Sequence, residues 1–431
     1  MADGARSDHP GVQAELDRLT QLSPGGDRLG LERITELLDR LGNPQAALPP
    51  VFHVAGTNGK GSTCAFLRAA LEAAGARVHV FTSPHLVRFN ERIRLAGHLI
   101  DDEALAALLG EVLDAGSDIA PSFFEATAAA ALLAFARTPA DALVLEVGMG
   151  GRLDATNVVE RPAVTGIAAL GLDHQQWLGE SLADIAAEKA GIAKAGVPLV
   201  TLSSPPEAAA RVRAVAQSRS APLFVQGEHW LSRVADDRLH YRDAQGSLDL
   251  PLPALPGAHQ ADNAALAIAM LRHQSALAMP DAALARAMPD VRWPARLQKL
   301  RPGPLIGIRD VWLDGGHNAQ AAAVLAASIA ELTAGRPLHL IVGALTTKDA
   351  AGLLAPFRGL VSQVLAIGFD HPLAMTADAL AVTATAQGLP AHAHADFRSA
   401  LASVPPGAAI LIAGSLYLAG EVLALNDEAP D

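Results

Sequence analysis

The stretch Val54-Ala-Gly-Thr-Asn-Gly-Lys-Gly-Ser62 carries the residue types needed to hold a polyphosphate. Gly56, Gly59 and Gly61 let backbone N–H groups approach phosphate oxygens with no side chain in the way, and Lys60 adds a full positive charge. The apolar run 51–55 ahead of the glycines reads as a buried strand, and 62–74 reads as a helix stopped by Gly75. A strand, a glycine turn and a helix start put unpaired donors and the positive end of a helix dipole at the turn. The spacing departs from the standard phosphate loop. Val54 stands where that pattern has its first glycine, and Gly61 follows the lysine directly, with Ser62 one step late. The plainer alternative is a tight glycine turn with a solvated lysine.

Other candidates sit at strand tips. Glu146 ends the apolar run 141–147, where a carboxylate suits the metal that accompanies bound phosphates; otherwise it is an exposed strand-end acid. The Ser83 hydroxyl, at another tip, would be a second hard oxygen ligand. His174 follows Asp173 at a fourth tip; a lone histidine is ordinarily packed or solvated, and only its position singles it out. Arg152 and Asp154 flank the turn Gly148-Met-Gly-Gly151, which is shaped for close ligand approach or is simply a flexible surface loop. On a helix over 181–195, Lys189 shares the apolar face with Ile185 and Ile192. Such a lysine snorkels outward, the default, or has an interior partner. Asp314, His317 and Asn318 lie on one strand-tip loop and Arg296 at the hinge Trp293-Pro-Ala-Arg-Leu297, which places charge at an expected cleft between domains.

Composition bounds the classes. At 431 residues, 50% hydrophobic and 18% charged, the chain has ample core for more than one domain. Its net charge of −12 opposes a nucleic-acid-coating role but leaves room for a local anion site. No 18-residue apolar run predicts a membrane span, and the first residues lack an apolar signal core. Cys64 is the single cysteine, which excludes an internal disulfide and a cysteine zinc site and suits a cytoplasmic protein.

These residues are positioned by alternating strands and helices. The first residues read as polar and frayed, and 27–34 leads into a helix carrying Leu31, Ile34, Leu37, Leu38 and Leu41. Strands over 77–81, 141–147 and 163–169 join the one at 51–55, with helices over 101–115 and 123–135. That alternation predicts an α/β fold with a parallel sheet whose ligands sit past the carboxyl ends of its strands. From 223 to 255 the texture changes to a small antiparallel meander. A second strand–helix series starts near Leu300 and predicts a second, Rossmann-like α/β domain. The expected division is 1–295 for a phosphate-loop ATP-binding domain and 296–431 for the second domain.

Taken together, the motifs resemble the bifunctional dihydrofolate synthase/folylpolyglutamate synthase family of the murein-ligase superfamily. They are 53–63, Ser83-Pro-His-Leu-Val-Arg-Phe-Asn-Glu-Arg92, Phe124-Glu125, Leu145-Glu-Val-Gly-Met-Gly-Gly-Arg-Leu-Asp-Ala-Thr-Asn157, Leu172-Asp-His-Gln-Gln-Trp-Leu-Gly179, Glu188-Lys-Ala-Gly-Ile192, the hinge, Asp314-Gly-Gly-His-Asn318, Lys348-Asp349 and Gly414-Ser-Leu-Tyr417. One departure is Gly316 and Ala319, where the family has alanine and proline. The resemblance implies ATP-dependent ligation of L-glutamate to dihydropteroate and to reduced folates through an acyl phosphate. It implies that Thr57, Asn58, Gly59, Lys60, Gly61 and Ser62 hold phosphates and that Asn263, Arg296, Asp314 and His317 contact ATP. Ser83, Glu146 and His174 would bind Mg²⁺, with two ions and a monovalent cation as cofactors, and Lys189 matches a carbamylated lysine. Leu29, Gly30 and Leu31, Ser122, Phe123, Phe124 and Glu125, and Leu153, Asp154 and Ala155 match the pterin pocket. The expected protein is a cytoplasmic monomer that binds neither nucleic acid nor membrane. Three alternatives stay open: a folate-only synthase, a murein-precursor ligase and a nucleotide-binding switch. The murein-precursor ligases carry a whole domain ahead of the loop, for which about 50 residues are too few.

Overall fold

The computed structural model describes residues 5–23 and 29–431, which divide into two units. Unit 1 holds the chain up to Pro84 together with Phe89–Ala254 and Gln260–Arg292; unit 2 holds His85–Arg88, Leu255–His259 and Trp293–Asp431.

In unit 1, β1 (Val51–Ala55), β2 (Val78–Phe81), β3 (Ile93–Leu95), β4 (His98–Leu99), β5 (Ala142–Glu146), β6 (Val164–Ile167), β7 (Leu199–Thr201) and β8 (Leu223–Val225) form one sheet. Its order is β4-β3-β2-β5-β1-β6-β7-β8. The strands from β2 to β8 in that order run parallel, and β3 and β4 add an antiparallel edge. Strands β1, β2, β5 and β6 are buried along their whole length, as expected of strands covered on both faces. One face carries Val51, Phe81, Leu143 and Leu145, packed with residues from the helices Pro10–Leu22, Glu32–Arg40, Asp102–Ala115 and Phe123–Arg137.

Several expectations need correction. The chain start is not frayed over 10–22: Val12, Leu16 and Leu19 recur at i, i+4 and i+7, are fully buried, and make a helix begun by Pro10. Within the lead-in to the second helix, Asp27 and Arg28 lie outside the described residues. The meander is β9 (Leu231–Ala235), β10 (Arg238–Asp243) and β11 (Gly246–Pro251). It starts later than expected because Leu223–Val225 pairs in parallel with β7 and belongs to the large sheet. The helix carrying Lys189 is Leu182–Ala190, shorter than 181–195; Ser181 is its N-cap and Gly191 its C-cap, where a Cβ would overlap Arg152.

Unit 2 has β12 (Gln298–Lys299), β13 (Asp310–Leu313), β14 (Leu338–Val342), β15 (Gln363–Ala366), β16 (Ala391–Ala393) and β17 (Ala409–Ala413) in the order β12-β13-β17-β14-β15-β16. All pairings except β12–β13 are parallel. Alternate residues feed two cores: Leu340, Val342 and Leu411 enter one, and Ile341, Ile410 and Ile412 the other. A sheet apolar on both faces must be covered on both, which makes this a doubly wound unit.

Candidate active site

The sheet order of unit 1 brings the strand-tip residues to one edge. The neighbours β2, β5, β1 and β6 all point their carboxyl ends the same way, with Phe81 level with Leu145, Val54 with Glu146, and Ala55 with Ile167. Ser83 lies just past β2, Glu146 closes β5, the glycine loop follows β1, and Asp173 and His174 follow β6. Four tips far apart in sequence therefore share one edge, the ordinary ligand position in a parallel sheet.

The glycine loop is held from below. Thr57 N and Asn58 N donate to Ala169 O at 2.9 and 3.1 Å, and the Thr57 hydroxyl donates to Gly171 O at 2.9 Å. Gly59 has φ +83°, and a Cβ there would overlap the Asn263 carboxamide, so glycine is required on both counts. Asn263 is buried and its amide donates to Gln260 at 3.1 Å. The helix begins at Lys60, two residues before the expected start. In its first turn the Ser62 and Thr63 hydroxyls are buried and make no hydrogen bond. Unpaired hydroxyls at a helix N-terminus fit a bound phosphate and its metal.

Lys189 does not snorkel. It is 4% exposed, between the fully buried Ile185 and Ile192, and its ammonium donates to Gly56 O at 2.9 Å. Lys60 donates to the same carbonyl at 3.1 Å. Burial, reinforced by the Lys60 charge, pulls the Lys189 pKa down to about 7, while Asp173 and Asp154 act in the opposite sense.

Glu146 is buried at the strand tip, whereas His174 is exposed, adopts φ +53° and sits 3.9 Å from Asp173. Among the described residues, no three His, Cys, Asp or Glu side chains cluster closely enough to hold a metal. A site with few protein ligands fits Mg²⁺, which keeps waters and takes substrate phosphate oxygens, and Ser83 and Glu146 offer it hard oxygens. Cys64 is buried, and burial together with Glu146 pushes its thiol pKa up, so it packs and does not react.

The loop after β5 joins this edge to an aromatic cluster. A Cβ at Gly148 would overlap the Phe124 ring, and one at Gly151 would lie 2.8 Å from the Glu188 and Lys189 carbonyls. The loop thus rests between Phe124 and the helix of Lys189. Phe123 and Ala155 belong to the buried core on this face of the sheet, and Leu31 and Phe124 pack against that core. Phe123 stands edge-on to Phe89 at 5.9 Å, with the Arg92 guanidinium over both rings. Ser122 and Glu125 form a reciprocal cap: Glu125 N donates to the Ser122 hydroxyl at 3.2 Å, and Ser122 N to Glu125 Oε2 at 2.7 Å. Arg33 pairs with the same carboxylate oxygen at 3.0 Å, which leaves Oε1 buried without a hydrogen bond. Leu29, Gly30 and Leu153 are half-buried, and Asp154 is buried.

In unit 2, Asp314 follows β13 and is used by its own backbone surroundings. Leu297 N donates to its Oδ2 at 2.8 Å and Gly316 N to its Oδ1 at 2.7 Å. His317 Nδ1 lies 3.1 Å from Gly315 O, Arg296 donates to Ala295 O at 2.9 Å, and Asn318 caps the helix Ala319–Thr333.

Against this geometry, the curated dihydrofolate synthase/folylpolyglutamate synthase of Escherichia coli K12 is 35% identical over 401 residues, covering 93% of this chain and 92% of the relative. This chain belongs to that family. Models for the two Mur ligase parts agree: the middle domain matches residues 54–271 and the glutamate ligase domain residues 296–416. The structure is similar to E. coli FolC in complex with DHPP and ADP, with TM-score 0.88, 33% identity, and 96% and 97% of the two chains covered. It is also similar to the Yersinia pestis bifunctional synthase complexed with AMPPNP and Mn, with TM-score 0.85, 31% identity and coverage of 96% and 97%.

Three residues escaped the reading of single motifs. Arg33 pairs with Glu125 across 92 positions, and no local pattern announces such a partner. His53 and Thr156 both lay inside quoted motifs, yet their contact across 103 positions needs the folded sheet.

Proposed function

We propose that this chain ligates L-glutamate to dihydropteroate, giving dihydrofolate, and to the γ-carboxylate of reduced folates, with ATP as co-substrate. The observation that carries the reading is the shared edge of β2, β5, β1 and β6, where the glycine loop, Lys60 and unpaired first-turn hydroxyls stand together. A folate carboxylate oxygen attacks the γ-phosphorus of ATP and ADP departs. The glutamate amine then attacks the acyl phosphate carbon, phosphate leaves, and the amine sheds its proton as the amide forms. Catalysis on this pathway is mainly positioning and charge neutralisation.

On this reading the N–H groups of residues 57–62 and the Lys60 ammonium hold the phosphates, and Asn263, Arg296, Asp314 and His317 contact ATP. Ser83, Glu146 and His174 hold Mg²⁺, which neutralises phosphate charge when bound; two ions and a monovalent cation belong to the same proposal. Leu29 to Leu31, Ser122 to Glu125 and Leu153 to Ala155 form the pterin side. The neutral Lys189 amine takes up carbon dioxide at Nζ and releases a proton, which makes an anionic carbamate; its burial and low pKa favour that reaction. The two domain roles, 1–295 for ATP and pterin and 296–431 for glutamate ligation, are part of this reading, as are a monomeric state and a cytoplasmic location. Among the described residues no helix is long and apolar enough to cross a membrane.

The test is ADP release and product mass with dihydropteroate or tetrahydrofolate, each with and without L-glutamate. Glutamate-dependent product from both acids is expected. Product from tetrahydrofolate alone would reduce the enzyme to a folate-only synthase, and ATP turnover indifferent to both acids would overturn the reading.

A further inference from the structure

A buried chain of three side chains runs from the strand that feeds the phosphate loop to the loop of the pterin side. His53 lies in the middle of β1 and is fully buried. Its Nε2 is 2.8 Å from the Thr156 hydroxyl, which is 2.5 Å from Asp154 Oδ1. Asp154 is an acceptor throughout: Thr156 N donates to the same oxygen at 3.0 Å and Met149 N to Oδ2 at 2.8 Å. The carboxylate therefore ties the two ends of the turn from Met149 to Asp154 together.

Proton counting settles the direction of the chain. Burial raises the Asp154 pKa, and the hydrogen bonds from Met149 N, Thr156 N and the Thr156 hydroxyl act against that rise and favour the carboxylate. The Thr156 hydroxyl has one proton, and the carboxylate takes it. Toward His53 the hydroxyl can then only accept, so His53 carries its proton on Nε2 and leaves Nδ1 bare. Nδ1 is indeed buried without a hydrogen-bond partner. Burial also pulls the His53 pKa down to about 3, with Lys194 acting in the same direction, which keeps the ring neutral. A second tie holds the same loop from outside: Asn157 donates to Arg152 O at 3.0 Å and to Gly191 O at 3.3 Å.

We propose that His53 is a positioning residue that, as its Nε2–H tautomer, orients Thr156 and through it Asp154, and so sets the pterin-side loop from the strand of the phosphate loop. This rests on the proposed function above, because the loop matters to the reaction only if it lines the acid substrate. The consequence is selective. Losing the chain loosens Leu153, Asp154 and Ala155, while the phosphate loop keeps its own ties to Ala169 and Gly171.

Two pairs of variants test it. Glutamine places a side-chain N–H near the histidine Nε2 position, and asparagine does not reach it. Thr156→Ser keeps the hydroxyl, and Thr156→Val removes it while keeping the backbone N–H. His53→Asn and Thr156→Val should each raise KM for dihydropteroate about tenfold, the cost of about one buried hydrogen bond, with KM for ATP within about twofold. His53→Gln and Thr156→Ser should stay near wild type, and the double variant His53→Asn/Thr156→Val should be no worse than the poorer single. Equal rises in both KM values, failure of His53→Gln to preserve activity, or additive losses in the double variant would overturn the inference. Nitrogen-15 spectra of labelled histidine supply an arm independent of turnover: a protonated Nε2 and bare Nδ1 support it, and the opposite tautomer refutes it. Wild-type enzyme inert toward dihydropteroate would defeat the proposed function, and the tautomer measurement would still decide the state of His53.

Discussion

Replacing Lys189 by methionine keeps most of the apolar stem and removes the titrating group. In the folded protein the Lys189 pKa falls from 10.5 to about 7. At about 1.36 kcal/mol per pK unit, the interior disfavours the ammonium by about 5 kcal/mol. The sign follows from counting protons. Below about pH 7 both folded and unfolded states bind the proton, so the group adds no slope. Between about 7 and 10.5 the unfolded chain still binds it and the folded chain does not, so stability rises with pH by about 1.4 kcal/mol per unit. From about pH 7 to about pH 9 the contribution is about 3 kcal/mol. The groups that bear on Lys189 are Lys60, Asp173 and Asp154, and all three remain in the variant. Urea unfolding of wild type and Lys189→Met, in buffer depleted of carbon dioxide, isolates the term by difference. The wild type should gain on the variant as pH rises. Parallel stability curves would refute the buried, depressed lysine. Added bicarbonate should then give a carbon-13 carbamate signal in the wild type only. Lys189→Arg should lack ligase activity because it keeps a positive charge at Gly56 O, and full activity in that variant would rule out the carbamate.

Lys60→Ala should lower kcat/KM for ATP-dependent ligation by about 100-fold or more, since it removes a charge aimed at phosphate, while stability changes by less than about 1 kcal/mol. Near-wild-type turnover would show that the loop does not hold the transferred phosphate. Gly59→Ala combines a left-handed φ of +83° with overlap on Asn263, so it should lower stability by about 1–3 kcal/mol and weaken binding of an ATP analogue. Unchanged melting temperature and affinity together would show that the loop can relax around a Cβ.

Much of the candidate site was legible because its residues are local. Glycines, a lysine and a helix start within 54–62 describe a phosphate loop with no need of neighbours, and apolar runs ending in Glu146 or before His174 mark strand tips. Period also settled the helix that opens at Glu32, whose Ile34, Leu37 and Leu38 are buried as their spacing requires. The same period was present at Val12, Leu16 and Leu19 but was masked by polar residues between them.

Pairings and burial were decided by the tertiary structure. Residues 223–225 are β-prone in either setting, and only a hydrogen-bonding neighbour, β7, makes them a parallel strand of the large sheet. Helix period placed Lys189 on an apolar face, but whether a four-carbon stem reaches water depends on what covers that face. Here Gly56 O takes the ammonium inside. Glu125 has the same dual character: its cap with Ser122 follows from a three-residue spacing, and its ion pair with Arg33 exists only because two helices meet. Residue type and spacing therefore determined which groups could do chemistry, since those properties are local. Which groups face one another, and which are cut off from water, was decided by the strand order and packing of the folded chain, because contacts across 100 or so positions leave no periodic trace in the sequence.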